Sequence, residues 1–137
     1  MGLFKRLWKL SRKSQFFNTV FNTVYACDIP MQTKIGEGVH FPHGTIGTVI
    51  SCNAVIGKNV CIQHHVLIGQ CNGEENVPVI GDNVVINPYT CICGNVKIGD
   101  NSVIGVGSLV LHDVPPNTVF YNVRQDFSHP RDENMVL

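Results

Sequence analysis

Aliphatic residues recur along this chain at a spacing of six. Stepping from Ile50 gives Ile56, Ile62, Ile68, Glu74, Ile80, Ile86, Ile92, Ile98, Ile104 and Val110, and only Glu74 breaks the series. An earlier set, Ile29, Ile35 and Phe41, keeps the step but is offset by three. The position after the anchor is often Gly or Asn, as at Gly57, Gly69, Gly81, Asn87, Gly99 and Gly105. Four residues after it sits something small or β-branched, such as Ala54, Val60, Val84 or Ser102. A period of six matches neither a helix of 3.6 residues per turn nor a plain alternating strand. It matches a coil of three short strands, each ended by a turn where Gly or Asn takes positive φ. One aliphatic side chain per strand points inward, and no single coil can bury it, so stacked coils must form the core. The predicted fold is all-β: a parallel β-helix of hexapeptide repeats, its hand left open by periodicity, preceded by a short helical segment.

The pattern fails at Gln70–Pro78, which is polar and rich in Asn, Glu and Gly. It predicts a loop extruded from the prism, either a tolerated insertion or a functional loop on a rigid scaffold. Residues 3–25 have another texture. At about 100° per residue, Leu3, Phe4, Leu7, Trp8 and Leu10 gather on one side of a helix, and Lys5, Arg6, Lys9, Arg12 and Lys13 on the other. Such a basic amphipathic helix either caps the end of the prism or lies on an anionic membrane through residues 3–13. In the FNTVFNTVY run that follows, Asn and Thr weaken the case for helix. Pro115-Pro116 is expected to end the coil. The organisation read from the chain is residues 1–27 as the N-terminal segment, 28–118 as the β-helix and 119–137 as a polar tail.

Composition narrows the function classes. Ten basic residues balance ten acidic ones over 137 positions, so the whole chain gives no electrostatic hint of nucleic acid. No apolar run is long enough for a membrane span, and no signal peptide is recognised. Six cysteines show no CxxC pair, which suits reduced, apolar cysteines in a cytoplasmic protein, with no metal site expected. Cys91 and Cys93 should point the same way from one strand.

Candidate chemistry lies in polar residues that stand outside the period. Asp28 and His43 are fifteen residues apart, close to the roughly eighteen of one coil, so they should lie nearly one above the other. A carboxylate beside an imidazole orients it and raises its basicity, as a general base for a hydroxyl requires. On spacing alone a plain surface histidine is the simpler reading. His64 and His65, placed in a regular strand, should face opposite ways and could not share a metal.

The run DI…KIGEGVHFPHGT…VI…AVIGKNVCI…LIG with the closing IGVGSLV…VPPNT resembles the serine O-acetyltransferase branch of the hexapeptide-repeat acyltransferases, over roughly residues 28 to 118. The resemblance implies a left-handed coil, a homotrimer with active sites between prisms, and acetyl-CoA as acyl donor. It implies His43 as catalytic base with Asp28 as its partner, and CoA against Gly69, Pro88, Gly105 and Val106. Departures are equally visible. Pro42 stands where the family has an aspartate, and Asn76-Val77 where it has an Arg-His pair that holds the amino acid. Only 27 residues precede Asp28, where the family carries a large helical domain, and Asn122-Val123-Arg124 replaces the usual segment after the Pro-Pro turn. These departures are more similar to the short acetyltransferases of surface-polysaccharide biosynthesis, in which a histidine also stands at the position of His64. The expectation is therefore O-acetyl transfer from acetyl-CoA to a glycan hydroxyl, with His64 and Asn76 near the acceptor. The alternatives are serine O-acetylation and a non-catalytic trimeric binding module.

Overall fold

The computed structural model describes residues 2–70 and 76–122. Three parallel four-stranded sheets form the walls of a triangular prism. Sheet I stacks Lys34–Ile35, Val55–Ile56, Val79–Ile80 and Lys97–Ile98. Sheet II stacks Cys61–Ile62, Val85–Ile86, Val103–Ile104 and Val119–Phe120. Sheet III stacks Val49–Ile50, Leu67–Gly69, Cys91–Cys93 and Leu109–Val110. The chain passes from I to II to III around three corners. The anchors at six-residue spacing are the core: Ile50, Ile62, Ile68, Ile80, Ile86, Ile92 and Ile104 are at most 1% exposed. Between them the buried small residues Ala54, Val60, Val66, Val84, Val96 and Ser102 turn inward at the corners. Burying each aliphatic side chain contributes about 1.5–3 kcal/mol, and each is buried by its neighbours above and below.

Register shows where the coil is irregular. Where nothing intervenes, paired residues are 18 apart, as in Val49↔Leu67 and Cys91↔Leu109. The separation rises to 21 in Lys34↔Val55, Asp28↔Val49 and His40↔Cys61, all of which straddle residues 42–47. It rises to 24 in Val55↔Val79 and Leu67↔Cys91, which straddle Gln70–Pro78. It falls to 16 in Val103↔Val119, across a shortened corner at 111–113. The three-residue offset in the anchors is thus an insertion at the corner between sheets II and III. The larger insertion lies at the corner between III and I, and its residues 71–75 lie outside the described residues.

The prolines do not end the coil. Pro115 and Pro116 form one more corner, and Val119–Phe120 pairs with Val103–Ile104, so the β-helix runs to residue 120 rather than 118. The reason lies in the hydrogen bonds. At this corner each glycine N–H donates onward to the following coil, as Gly57 does to Ile80 O and Gly99 to Val114 O. Pro115 stands in the last described coil, where the missing N–H forfeits no bond of this kind.

The N-terminal segment is a helical hairpin, α1 (Leu3–Ser11) and α2 (Gln15–Val24). Helix forms through the FNTVFNTV run because its polar residues find partners. Thr19 and Thr23 hydroxyls donate to the carbonyls four residues back, and the buried Asn18 amide donates to Ile29 O at 2.9 Å. Phe4, Trp8, Phe21 and Tyr25 interlock, with centroids 4.6–5.7 Å apart, and Phe4 and Trp8 reach Phe41 of the first coil. Arg12 lies over Trp8 and donates to the carbonyls of Pro30 and Thr33. The hairpin therefore caps the first coil.

Candidate active site

Each corner between sheets I and II needs one residue with positive φ. Gly38, Asn59, Asn83, Asn101 and Asn117 supply it, with φ of 55–77°. The asparagine amides form a ladder, Asn59 to Asn83 to Asn101 to Asn117, each step an amide donating across 3.2 Å. This corner is uniform and fully explained by stacking.

The corner between sheets II and III meets the same requirement with Gly47, His65, Tyr89 and Gly107, at φ of 55–65°. Histidine and tyrosine in the left-handed region cost roughly 1–2 kcal/mol each relative to glycine, so their presence points to a role other than the turn. Their rings are stacked, with centroids 5.0 Å apart and planes 18° apart. His64 touches both, at 5.4 and 5.5 Å. The three extra residues of the first coil bulge out at this same corner. They carry His43, which is exposed and meets His64 edge-on at 5.3 Å. A continuous line of rings therefore runs down the corner from His43 through His64 to Tyr89.

The bulge is firmly held. Gly44 N–H donates to Phe41 O at 3.0 Å, Gly47 N–H to Ala26 O at 2.8 Å, and Asp28 N–H to Thr48 O at 2.9 Å. The buried Thr45 hydroxyl donates to Cys27 Sγ at 3.2 Å. Burial pushes the Cys27 thiol up and the Asp28 carboxylate adds to this, with the Thr45 bond opposing. Residues 26–28 thus run alongside 45–49, which brings Asp28 and His43 to one corner. They do not stack one above the other, because the three extra residues lengthen this coil to 21 and set Asp28 beside Val49 instead. Among the described residues no hydrogen bond joins the two side chains. Asp28 opens into a polar cavity of about 460 Å³ between α2 and the first coil, lined also by Gln15, Asn22, Thr23 and Gln32.

The remaining site candidates divide by corner. Pro88, Gly105 and Val106 stack below His64: Tyr89 N–H donates to His64 O, and Gly107 N–H to Pro88 O. A cavity of about 490 Å³ lined by Tyr89, Val106, Gly107 and Asn122 opens beside them. Gly69 is buried at the far end of the sheet III strand, and Asn76 is exposed where the long insertion returns to the same distant corner. Within one chain, neither reaches His43. His64 and His65 do not face opposite ways as a strand would dictate; they form the corner, and their rings touch. His64 Nδ1 is buried without a hydrogen-bond partner among the described residues. Cys91 and Cys93 do share a face, with sulfurs 3.2 Å apart. Among the described residues no group of three or more His, Cys, Asp or Glu is placed to hold a metal ion.

Sequence reasoning placed His65 in a strand rather than at a turn, and missed Tyr89. The signal was three residues after each anchor, where Asn59, Asn83 and Asn101 alternate with His65, Tyr89 and Gly107.

Residues 78–112 match the family model described as bacterial transferase hexapeptide (six repeats). The chain is 42% identical over 118 residues to serine acetyltransferase 3, mitochondrial, of Arabidopsis thaliana, covering 82% of this chain and 29% of that one. It is 34% identical over 116 residues to the serine acetyltransferase of Escherichia coli, covering 82% and 42%. The fold is similar to the crystal structure of Neisseria gonorrhoeae serine acetyltransferase in complex with serine, with a TM-score of 0.73 at 36% identity. That match covers 88% of this chain and 50% of that one. The chain spans less than half the length of these curated relatives. The coil is the left-handed β-helix that these structures share. Repeat, sequence and fold together make the chain a hexapeptide-repeat protein similar, over its β-helix, to the serine acetyltransferases.

Proposed function

We propose that this protein transfers an acetyl group from acetyl-CoA to an acceptor hydroxyl, with His43 as general base. One observation carries the proposal: the insertion that breaks the coil register projects an exposed histidine at the corner where Asp28 also lies. Imidazole, with an ordinary pKa of about 6.5, accepts a hydroxyl proton near neutral pH. The freed oxygen attacks the thioester carbonyl, and the tetrahedral adduct collapses with loss of the CoA thiolate. The proton on His43 passes to that sulfur, so base and substrates emerge balanced. Asp28, whose backbone bridges to Val49 just past the bulge, is the proposed partner of His43. The groove beside Pro88, Gly105 and Val106 is the proposed bed of the pantetheine arm, aligned with the line of rings that leads to His43. A homotrimer of such prisms would bring Gly69 and Asn76 of one chain towards the His43 corner of the next.

The relatives' names favour L-serine as acceptor, and it is the first reading. A second reading, a saccharide hydroxyl, is favoured by specific residues. Pro42 and Asn76-Val77 leave little charge complementary to a zwitterion. The cavity at Asp28 is lined by amides and hydroxyls with no cation, which suits a neutral polyol better than a free carboxylate. The test is CoA-thiol release with L-serine and with saccharide acceptors, for the natural chain and His43→Ala. Saturable turnover with serine upholds the first reading, and turnover with saccharide alone upholds the second. Undiminished turnover in His43→Ala would remove His43 as the base.

A further inference from the structure

We propose that the outer surface of the α1–α2 hairpin docks on an anionic lipid surface. The hairpin has already met its structural duty. Phe4 and Trp8 pack on the core, Phe21 and Asn18 are buried, and Arg12 turns inward to two backbone carbonyls. What remains outside is not the polar surface a cap requires. Leu3 and Leu10, seven residues apart and therefore on one stripe of α1, are 69% and 40% exposed. On α2, Phe17 and Val24 repeat that seven-residue stripe, and Phe16, 70% exposed, lies against the Phe17 ring. Two large aliphatic groups on α1 and three large apolar groups on α2 would be a liability in water.

Charge identifies the occupant. Lys5, Arg6, Lys9 and Lys13 are all exposed, and no aspartate or glutamate occurs before Asp28. Apolar side chains flanked by cations, with no anion among them, match a surface with an apolar interior and a negative rim. The opposite side of α2, with Gln15, Asn22 and Thr23, faces the polar cavity instead, so the hairpin is sided. A methyl group added at Gly44 of the His43 bulge would come within van der Waals range of Phe4 and Tyr25, so the bulge lies beside the hairpin. Docking would therefore hold the His43 corner close to the lipid headgroups. The proposal does not depend on which acceptor is used.

The test is co-sedimentation of the full chain with phosphatidylcholine vesicles, with and without about one-third phosphatidylglycerol. Binding is expected only with the anionic lipid, and it should weaken as salt rises. Lys5→Glu/Arg6→Glu/Lys9→Glu should lower the partition coefficient on the order of 100-fold. Leu10→Ser/Phe16→Ser should lower it on the order of 10-fold or more. All five side chains are exposed, so unchanged circular dichroism melts are expected to show the fold intact. Equal binding to neutral vesicles, or undiminished binding of the charge-reversed chain, would overturn the proposal. So would lipid-independent self-association that the same substitutions abolish, since the surface would then serve a second copy.

Discussion

Two corners of the prism answer one backbone demand in opposite ways. Between sheets I and II every coil turns through glycine or asparagine, and the asparagines hydrogen-bond to one another along the axis. Between sheets II and III the same left-handed position holds two glycines, a histidine and a tyrosine, and the first coil gains three residues bearing His43. The first corner is the solution that stability alone selects. The second departs from it at several successive levels, and strained residues that form one line of rings are what a functional edge of a rigid scaffold requires.

The largest test of that contrast is His43→Ala. Loss of the proposed general base should lower acetyl transfer by about 100- to 10,000-fold, while the thermal melt stays put because the side chain is exposed. A matching loss of stability would place His43 among the structural residues instead. The converse experiment strikes the uniform corner. A methyl group on Gly57 would sit 2.4 Å from the Gly81 carbonyl oxygen, which belongs to unyielding backbone. Gly57→Ala should cost about 1–3 kcal/mol in denaturant unfolding, with activity retained per folded molecule. Asn83 separates conformation from ladder. Asn83→Gly keeps the positive φ and loses only amide hydrogen bonds, so its cost should stay near 1 kcal/mol, whereas Asn83→Ala adds the left-handed penalty of about 1–2 kcal/mol. Carrying the first corner's residue into the second sharpens the comparison further. Tyr89→Asn should stabilise by up to about 1 kcal/mol and reduce turnover; a gain in both would deny the ring line a role.

The smallest effect concerns thiols. Burial raises Cys27, so less of it is thiolate at a given pH, and Cys52, which is exposed, should alkylate faster under native conditions. Equal rates would mean that the hairpin opens readily over Cys27.

Much of this was legible in the chain before any coordinates. The six-residue series named the core, and the three-residue offset named the place where His43 leaves the coil. What could not be read was which interruptions share a corner. Sequence period counts strands but does not say that Gln70–Pro78 opens at the opposite end of the sheet III strands from His43. Spacing likewise put Asp28 over His43, because the insertion that carries His43 itself shifts the stacking from 18 residues to 21. Helix through Phe16–Val24 was hidden because its support, Asn18 on Ile29 and the threonine back-bonds, comes from partners that propensity does not see. The coil beyond the Pro-Pro pair was hidden for the related reason that a proline is harmless where no onward bond is called for.

The short reach of the strand pairing has a kinetic consequence. Val55 pairs in register only with Lys34 behind it and Val79 ahead, 21 and 24 residues away, and among the described residues no strand pairs across the length of the molecule. Such a chain can assemble as a zipper from any coil that forms first, without closing one long loop. Fraying from the ends follows by the same logic, so amide exchange should be slowest around Ile62–Ile92 and quicken coil by coil outward.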